Sequence, residues 1–464
     1  MDERGESGTF WLASTPERTS RGDLTIGDEK WRLDVDSALF DTADGAWIRV
    51  GDNVRMDSGN PTNGVLDHQP RVVHGRLDDG GDLTLFDARL EAADLEILFP
   101  SPRPPQTFEG WRILHGACVP DQDSASTGVR WTMPHLPGLR LAGTARCKGG
   151  TLTSYTHENL PGICLETDQQ HPIRTLADLT PNRITSFLSI ATGYEVVPVH
   201  REIRLPDGTW CRVGIDRPVE SRSGPADFVT GIDLERLASW TDQSEQLGPL
   251  PFMPVADLSA VPVQVTVQVV ATALEGLHRR TQPDEKPFGT LSKGGIRRAV
   301  KAAVTAGTDT LEQEGWQDQR FAQTRFNAAL GHVGEMSYAE RLRALLTPVN
   351  RVAPGLFGPS LNGWIKRMKD VRNVQSHQLD EHDAFGEKEI DLYVALNISG
   401  RWALRLALLQ LVLSKDDIND GLGRSNRFRI ALANIDASHV WDGFSCAETF
   451  RAARSAGSQE GGSA

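Results

Sequence analysis

One short run of residues combines the side chains needed for acid–base chemistry at a phosphate. It reads WIKRMKDVRNVQSH, from Trp364 to His377, with Arg372 five residues before His377. Histidine titrates near neutral pH and can take or give a proton. Arginine stays charged and offers forked donors that match phosphate oxygens. RNA carries its own nucleophile, the 2′-hydroxyl beside each phosphate. Cleavage needs a base for that proton, an acid for the departing 5′ oxygen, and positive charge on the phosphorane-like transition state. No metal is required by this scheme. One such histidine per chain leaves one proton-transfer role vacant, which a two-fold dimer sharing one cleft would fill.

Charge singles out the same run. Lys366, Arg367, Lys369 and Arg372 against the one acid Asp370 give it a local charge of +3, inside a chain of 464 residues with a net charge of −13. An acidic chain is a poor coat for nucleic acid, but a small basic cleft on it can hold an anion. Asn373 and His377 are four apart and share a helix face. Arg372 and His377 are five apart, about 140° from each other around a helix axis. They converge on one phosphate if the helix ends or distorts there, or if a second subunit completes the cleft.

The elements that must position these residues fall into two halves. From residue 8 to 240 the chain is rich in Gly, Pro, Asp and Thr, with short alternating apolar runs at 23–35, 46–51, 72–77, 82–90, 195–205 and 209–215. Such runs between turn residues predict antiparallel strands. PNRITSFLSIATGYE (181–195) instead predicts a short helix with Gly193 as its stop. Residues 241–262 hold four prolines and little periodicity and are expected to be a linker. From 263 to 454 the pattern is helical. Val263, Val267, Val270, Leu274 and Leu277 form one stripe, and further helices are expected at 292–306, 310–331, 337–346, 361–378 and 389–413. Residues 455–464 are expected to be a disordered tail. The fold class is therefore α+β multidomain, a β-rich N-terminal half followed by an all-α bundle.

The residues R-N-x-x-x-H, Arg372 to His377, resemble the R-x4-6-H motif of HEPN ribonucleases. The long apolar helix after them and VVATALEGLHRR (269–280) before them resemble other helices of that domain. GTFWLASTPERTSRGDLTI (8–26), VVHGRLDDGGDLTLFDA (72–88) and ITSFLSIATGYEVVPVHREIRL (184–205) resemble the N-terminal domain of ApeA-type proteins. The resemblance implies a bacterial antiphage protein of abortive infection, a metal-independent endoribonuclease acting as a homodimer. Its products would carry a 2′,3′-cyclic phosphate and a 5′-hydroxyl. It further implies that Arg372 stabilises the phosphate, Asn373 orients the site and His377 is the acid or base. Lys366, Lys369 and Ser376 would contact the RNA, for which tRNA is a candidate. The front domain would sense a phage-derived activator and restrain the nuclease. The alternative is a non-catalytic dimeric scaffold that binds RNA or protein.

Other features carry weaker expectations. Five cysteines with no C-x-x-C pair argue against a disulfide framework. His115, Cys118, Cys147 and Cys164 could bind zinc, but the second pair is spread out and free thiols are commoner, so no metal and no cofactor are expected. The charged start MDERGESGTF and the lack of an 18-residue apolar run point to a cytoplasmic protein with no membrane partner. The tryptophans of the β half suit core better than a stacking surface. Lys293, Arg297, Arg298 and Lys301 form a basic strip, a solvated face or a guide for RNA.

Overall fold

The computed structural model describes residues 4–27, 30–40, 69–93, 105–214, 227–282, 288, 291–377 and 387–460. The expected strand at 46–51 lies outside them. The chain divides into two compact units, residues 1–244 and 245–464.

The front unit is built on antiparallel pairs. β1 (Arg4–Leu12), β2 (Thr15–Ile26) and β3 (Trp31–Val35) form a meander, with β4 (Arg71–Leu77) on the free edge of β1. β5 (Asp82–Ala93) pairs with β4 and with β6 (Gln106–Gly110), and β6 pairs with β3, so these six strands close on themselves. Closure removes the exposed edges of an open sheet. The interior is apolar because residues alternate along each strand: Trp31, Leu33 and Val35 of β3 face inward beside Phe10, Leu24 and Phe108. Gly110 is required where it stands, since a Cβ there would lie 2.3 Å from the Trp31 ring.

The sheet continues from β5 through β7 (Arg112–His115), β13 (Trp210–Val213), β12 (Arg201–Arg204), β8 (Ala125–Thr132), β11 (Leu160–Pro172), β10 (Gly150–His157) and β9 (Thr144–Cys147). Of the expected strand at 195–205, Arg201–Arg204 forms β12, and Val199 and His200 extend its backbone pairing to Thr132. A polar cluster stands on this part of the sheet. Glu202 faces Arg130 across the β12–β8 pair, with Arg130 Nε 2.5 Å from Glu202 Oε2. Tyr155 Oη donates to the same oxygen at 2.9 Å, and His200 Nε2 lies 3.5 Å from it. Burial would raise the Glu202 carboxyl, but contacts from His200, Arg130 and Tyr155 together hold it well below the usual carboxylate range. Burial and the bond to Glu202 push the Tyr155 phenol up to about 12.

α1 (Thr180–Thr192) is the expected helix, and Gly193 closes it at φ +76°. Its residues from Ile184 to Thr192 are all buried. Its Thr and Ser hydroxyls donate to carbonyls one turn back, for example Thr185 Oγ1 to Pro181 O at 2.9 Å. α2 (Leu234–Leu247) was not expected from the sequence. Trp240 stacks on Phe187 with ring centroids 5.0 Å apart and donates to Arg183 O at 2.8 Å.

α2 runs over the first seven residues of the segment expected to be a linker. Pro249 and Pro251 follow its end, a short 3-10 turn occupies Leu250–Phe252, and Arg401 Nη2 holds the carbonyls of Pro254 and Ala256 at 3.0 and 2.6 Å. Those contacts make the segment a packed part of the helical unit.

In that unit α3 (Val263–Thr281), α6 (Tyr338–Val352), α7 (Leu361–His377) and α8 (Glu387–Leu409) pack on one another as the central bundle. The α3 stripe Val267, Val270, Leu274 and Leu277 is buried, so helix rather than strand is the outcome for VQVTVQVV. α4 (Lys293–Gln313) and α5 (Gln319–Leu330) answer to the helices expected at 292–306 and 310–331, but the break between them falls at 314–318 rather than at 307–309. Gly315 at φ +93° ends the first, and Asp318 caps the second by accepting from Phe321 N at 2.9 Å. α9 (Lys415–Arg424), α10 (Asn426–Ala437) and α11 (Cys446–Glu460) complete the unit, so residues 455–460 of the expected tail are helical. No helix among the described residues is long and apolar enough to cross a membrane.

Candidate active site

α7 begins where Ser360 Oγ accepts from Gly363 N at 3.0 Å. Trp364, Ile365, Met368 and Val371 recur at helical spacing and are buried in the bundle. Trp364 Nε1 donates to Ser399 Oγ of α8 at 2.8 Å, which fixes the rotation of α7. That rotation leaves Lys366, Lys369 and Asn373 exposed together on the outer side of the helix. Arg367 is exposed as well, with its guanidinium 4.5 Å from the Trp441 ring centroid.

Arg372 lies between the two sides. Its guanidinium sits 4.7 Å from the Tyr338 ring centroid, and its Nη2 is 3.0 Å from Glu275 Oε2. The Arg372 side chain remains 33 % exposed, against 14 % for Glu275. The guanidinium is therefore anchored by α3 and α6 while part of the side chain stays accessible to solvent. Glu275 is shared: its Oε1 accepts from Arg279 Nη2 at 2.9 Å, one turn along α3.

Tyr338 is held as the first residue of α6 by a capping box. Ser337 N donates to Glu340 Oε2 at 2.7 Å, and Glu340 N donates to Ser337 Oγ at 3.3 Å. Bonds from the Ser337 backbone, then its side chain, hold the Glu340 carboxyl below its ordinary value. Tyr338 is buried, which raises its phenol far above the ordinary range, with Arg372 opposing and Glu275 adding to the rise. It is a neutral aromatic platform for the guanidinium.

α7 is described as far as His377. The side chains of Ser376 and His377 lie outside the described residues. The structure thus groups Lys366, Lys369 and Asn373 on one face and sets Arg372 at its border. Glu275 and Tyr338 were not found by sequence reasoning. Glu275 had a usable signal, as the one acid in the whole of α3.

The zinc candidates do not assemble. Among the described residues no group of three or more His, Cys, Asp or Glu side chains could hold a metal ion. Cys147 and Cys164 lie on strands separated by β10, and Cys118 Sγ is 3.6 Å from Leu83 O. All five cysteines are free thiols. Of the front-half tryptophans, Trp31 and Trp131 are fully buried and Trp111 is 54 % exposed.

Searches against curated proteins and against solved structures found no match. A scan of family models did: residues 269–416, from α3 into α9 and including Glu275, Tyr338 and Arg372, match the Apea-like HEPN domain.

Proposed function

We propose that the protein is a metal-independent endoribonuclease of bacterial antiphage defence. It acts in the cytoplasm as a homodimer, cleaves RNA (tRNA among the candidate targets), and is restrained by its β-rich unit until a phage-derived activator arrives. The observation that carries this is Arg372. Within the stretch matching the HEPN model, its guanidinium is anchored by Glu275 and Tyr338 while its side chain stays one-third exposed. A charged fork fixed in this way is pre-organised to meet a phosphate, which is the largest single contribution such a site can make.

In the reaction the 2′-oxygen bonds to phosphorus as the bond from phosphorus to the 5′ oxygen breaks. One imidazole takes the 2′ proton, and an acid returns a proton to the 5′ oxygen. His377 fills one of these roles and the partner subunit's His377 fills the other. Asn373 orients the phosphate, and Lys366, Lys369 and Ser376 hold the flanking backbone.

The test is cleavage of RNA by the purified chain in EDTA, wild type beside His377→Ala, with and without lysate from phage-infected cells. Cleavage by wild type alone, leaving 2′,3′-cyclic phosphates, supports the nuclease. Absence of cleavage in both conditions favours a non-catalytic dimeric scaffold. The ion pair of Arg372 with Glu275 would then serve only to join α7 to α3.

A further inference from the structure

α4 and α5 form an antiparallel hairpin inserted between α3 and α6, and they pack chiefly on each other. Only Val304 and Ala322 of the two helices are buried. Gly307 permits their close approach, since a Cβ there would lie 2.8 Å from the Phe326 ring. Between them runs an open cavity of about 380 Å³, toward the small end of the roughly 300–1,000 Å³ usual for ligand sites.

The two walls of this cavity differ in chemistry from its floor. Arg297, Lys301 and Thr305 follow one another at i, i+4, i+8 along α4, and Gln323 and Asn327 at i, i+4 along α5. Val300, Val304 and Leu330 lie in the cavity lining with them. The charge is one-sided. From Lys293 to Thr308 α4 carries no acid, and neither does α5, although the chain as a whole is at −13. Guanidinium and ammonium groups suit phosphates, carboxamides suit base edges, and an apolar floor suits the face of a base.

The hairpin is also rooted at the right place. It leaves the bundle after α3, six residues beyond Glu275, and returns at Tyr338, the first residue of α6. Those are the two side chains that anchor Arg372.

We propose that the α4–α5 hairpin is a single-stranded RNA-binding arm that delivers substrate to the Arg372 end of the bundle. The idea rests on the ribonuclease reading above. Phosphates engage Arg297 and Lys301, and an unpaired base enters against Val300 and Leu330 with Gln323 and Asn327 at its edge. A duplex cannot offer such a base without unpairing. A second copy of the same hairpin is the poorer occupant, because it would set cation against cation.

The experiment uses the full chain bearing His377→Ala, so that bound RNA is not cut. Anisotropy of a labelled single strand of about 20 nucleotides is compared with a duplex of equal length, with and without Arg297→Glu and Lys301→Glu together. Both substituted residues are exposed, and circular dichroism checks the fold. The single strand should bind more tightly than the duplex. The double variant should lose about tenfold in affinity, with a salt slope shallower by about 1.4, at roughly 0.7 per phosphate contact for single strands. Equal affinity of parent and double variant overturns the proposal, as does a parent that binds no RNA at 50 mM salt. An unchanged RNA affinity with a changed sedimentation coefficient overturns it in favour of a contact between copies. The nuclease reading is judged separately, by cleavage with the histidine intact: the arm can bind RNA in a chain that never cuts it, and a chain that cuts RNA can lack the arm.

Discussion

Arg372 of α7 and Glu275 of α3 meet through Nη2 and Oε2 at 3.0 Å, with the Arg372 guanidinium resting on the Tyr338 ring. Three helices therefore converge on one guanidinium. The carboxylate is the more shielded of the two, and the contact fixes where the guanidinium points.

Glu275→Gln keeps the side-chain shape and removes the charge that aims Arg372. Cleavage should fall by about tenfold to 100-fold, the scale of a small misplacement of a reacting group. The loss should appear in kcat with KM little changed, at a temperature where circular dichroism shows the variant folded. A wild-type rate would mean that Glu275 does not position Arg372.

Arg372→Lys retains a cation but loses the planar fork that both stacks on Tyr338 and reaches two oxygens. Single-turnover cleavage should drop by about 100-fold. Recovery to near wild type would show that charge alone suffices at this position.

Gly400 of α8 is a contact point of the bundle. A Cβ there would lie 2.7 Å from Val270 Cγ1 of α3 and 3.3 Å from Met368 Cε of α7. Alanine gains up to about 1 kcal/mol in helix propensity. Overpacking costs about 1–3 kcal/mol, and the β-branched Val270 cannot swing aside. Gly400→Ala should therefore destabilise the helical unit by about 1–2 kcal/mol in denaturant titration. A more stable variant would show that α3 and α8 can part at no cost.

Glu202 supplies a pH dependence in the front unit. Its contacts with His200, Arg130 and Tyr155 hold its carboxyl below the usual range despite burial. A depressed folded value means stabilisation present above the unfolded value of about 4.3, and lost as pH falls through the folded one. Glu202→Gln should cost about 1–3 kcal/mol at pH 7. The gap between wild type and variant should narrow as pH drops below about 4.3. A gap that stays constant down to pH 2 would refute the electrostatic account.

Much of the architecture was legible in local pattern. The stripe Val267, Val270, Leu274, Leu277 marked α3, and Gly193 marked the end of α1. The break between α4 and α5 was misplaced, because the helix continues through Gly307 and stops only where Gly315 takes φ +93°. α2 was missed because Leu234, Leu237 and Trp240 lie beside a proline-rich stretch that reads as linker. For the site, charge alone marked the run Lys366, Arg367, Lys369 and Arg372 in the sequence. That Lys366, Lys369 and Asn373 share an exposed side of α7 follows from how the helix packs.

The sequence by itself determined a β-rich half, a helical half, and a basic helix carrying Arg372 and His377 on an acidic chain. Those properties follow from periodicity and composition, which act over one or two turns of chain. Only the tertiary structure decided that six front strands close on themselves and that Arg372 is anchored by Glu275 and Tyr338. Glu275 stands 97 positions before Arg372 and Tyr338 stands 34 before it. No local pattern links side chains so far apart; burial of the apolar stripes of α3, α6 and α7 against one another brings them together.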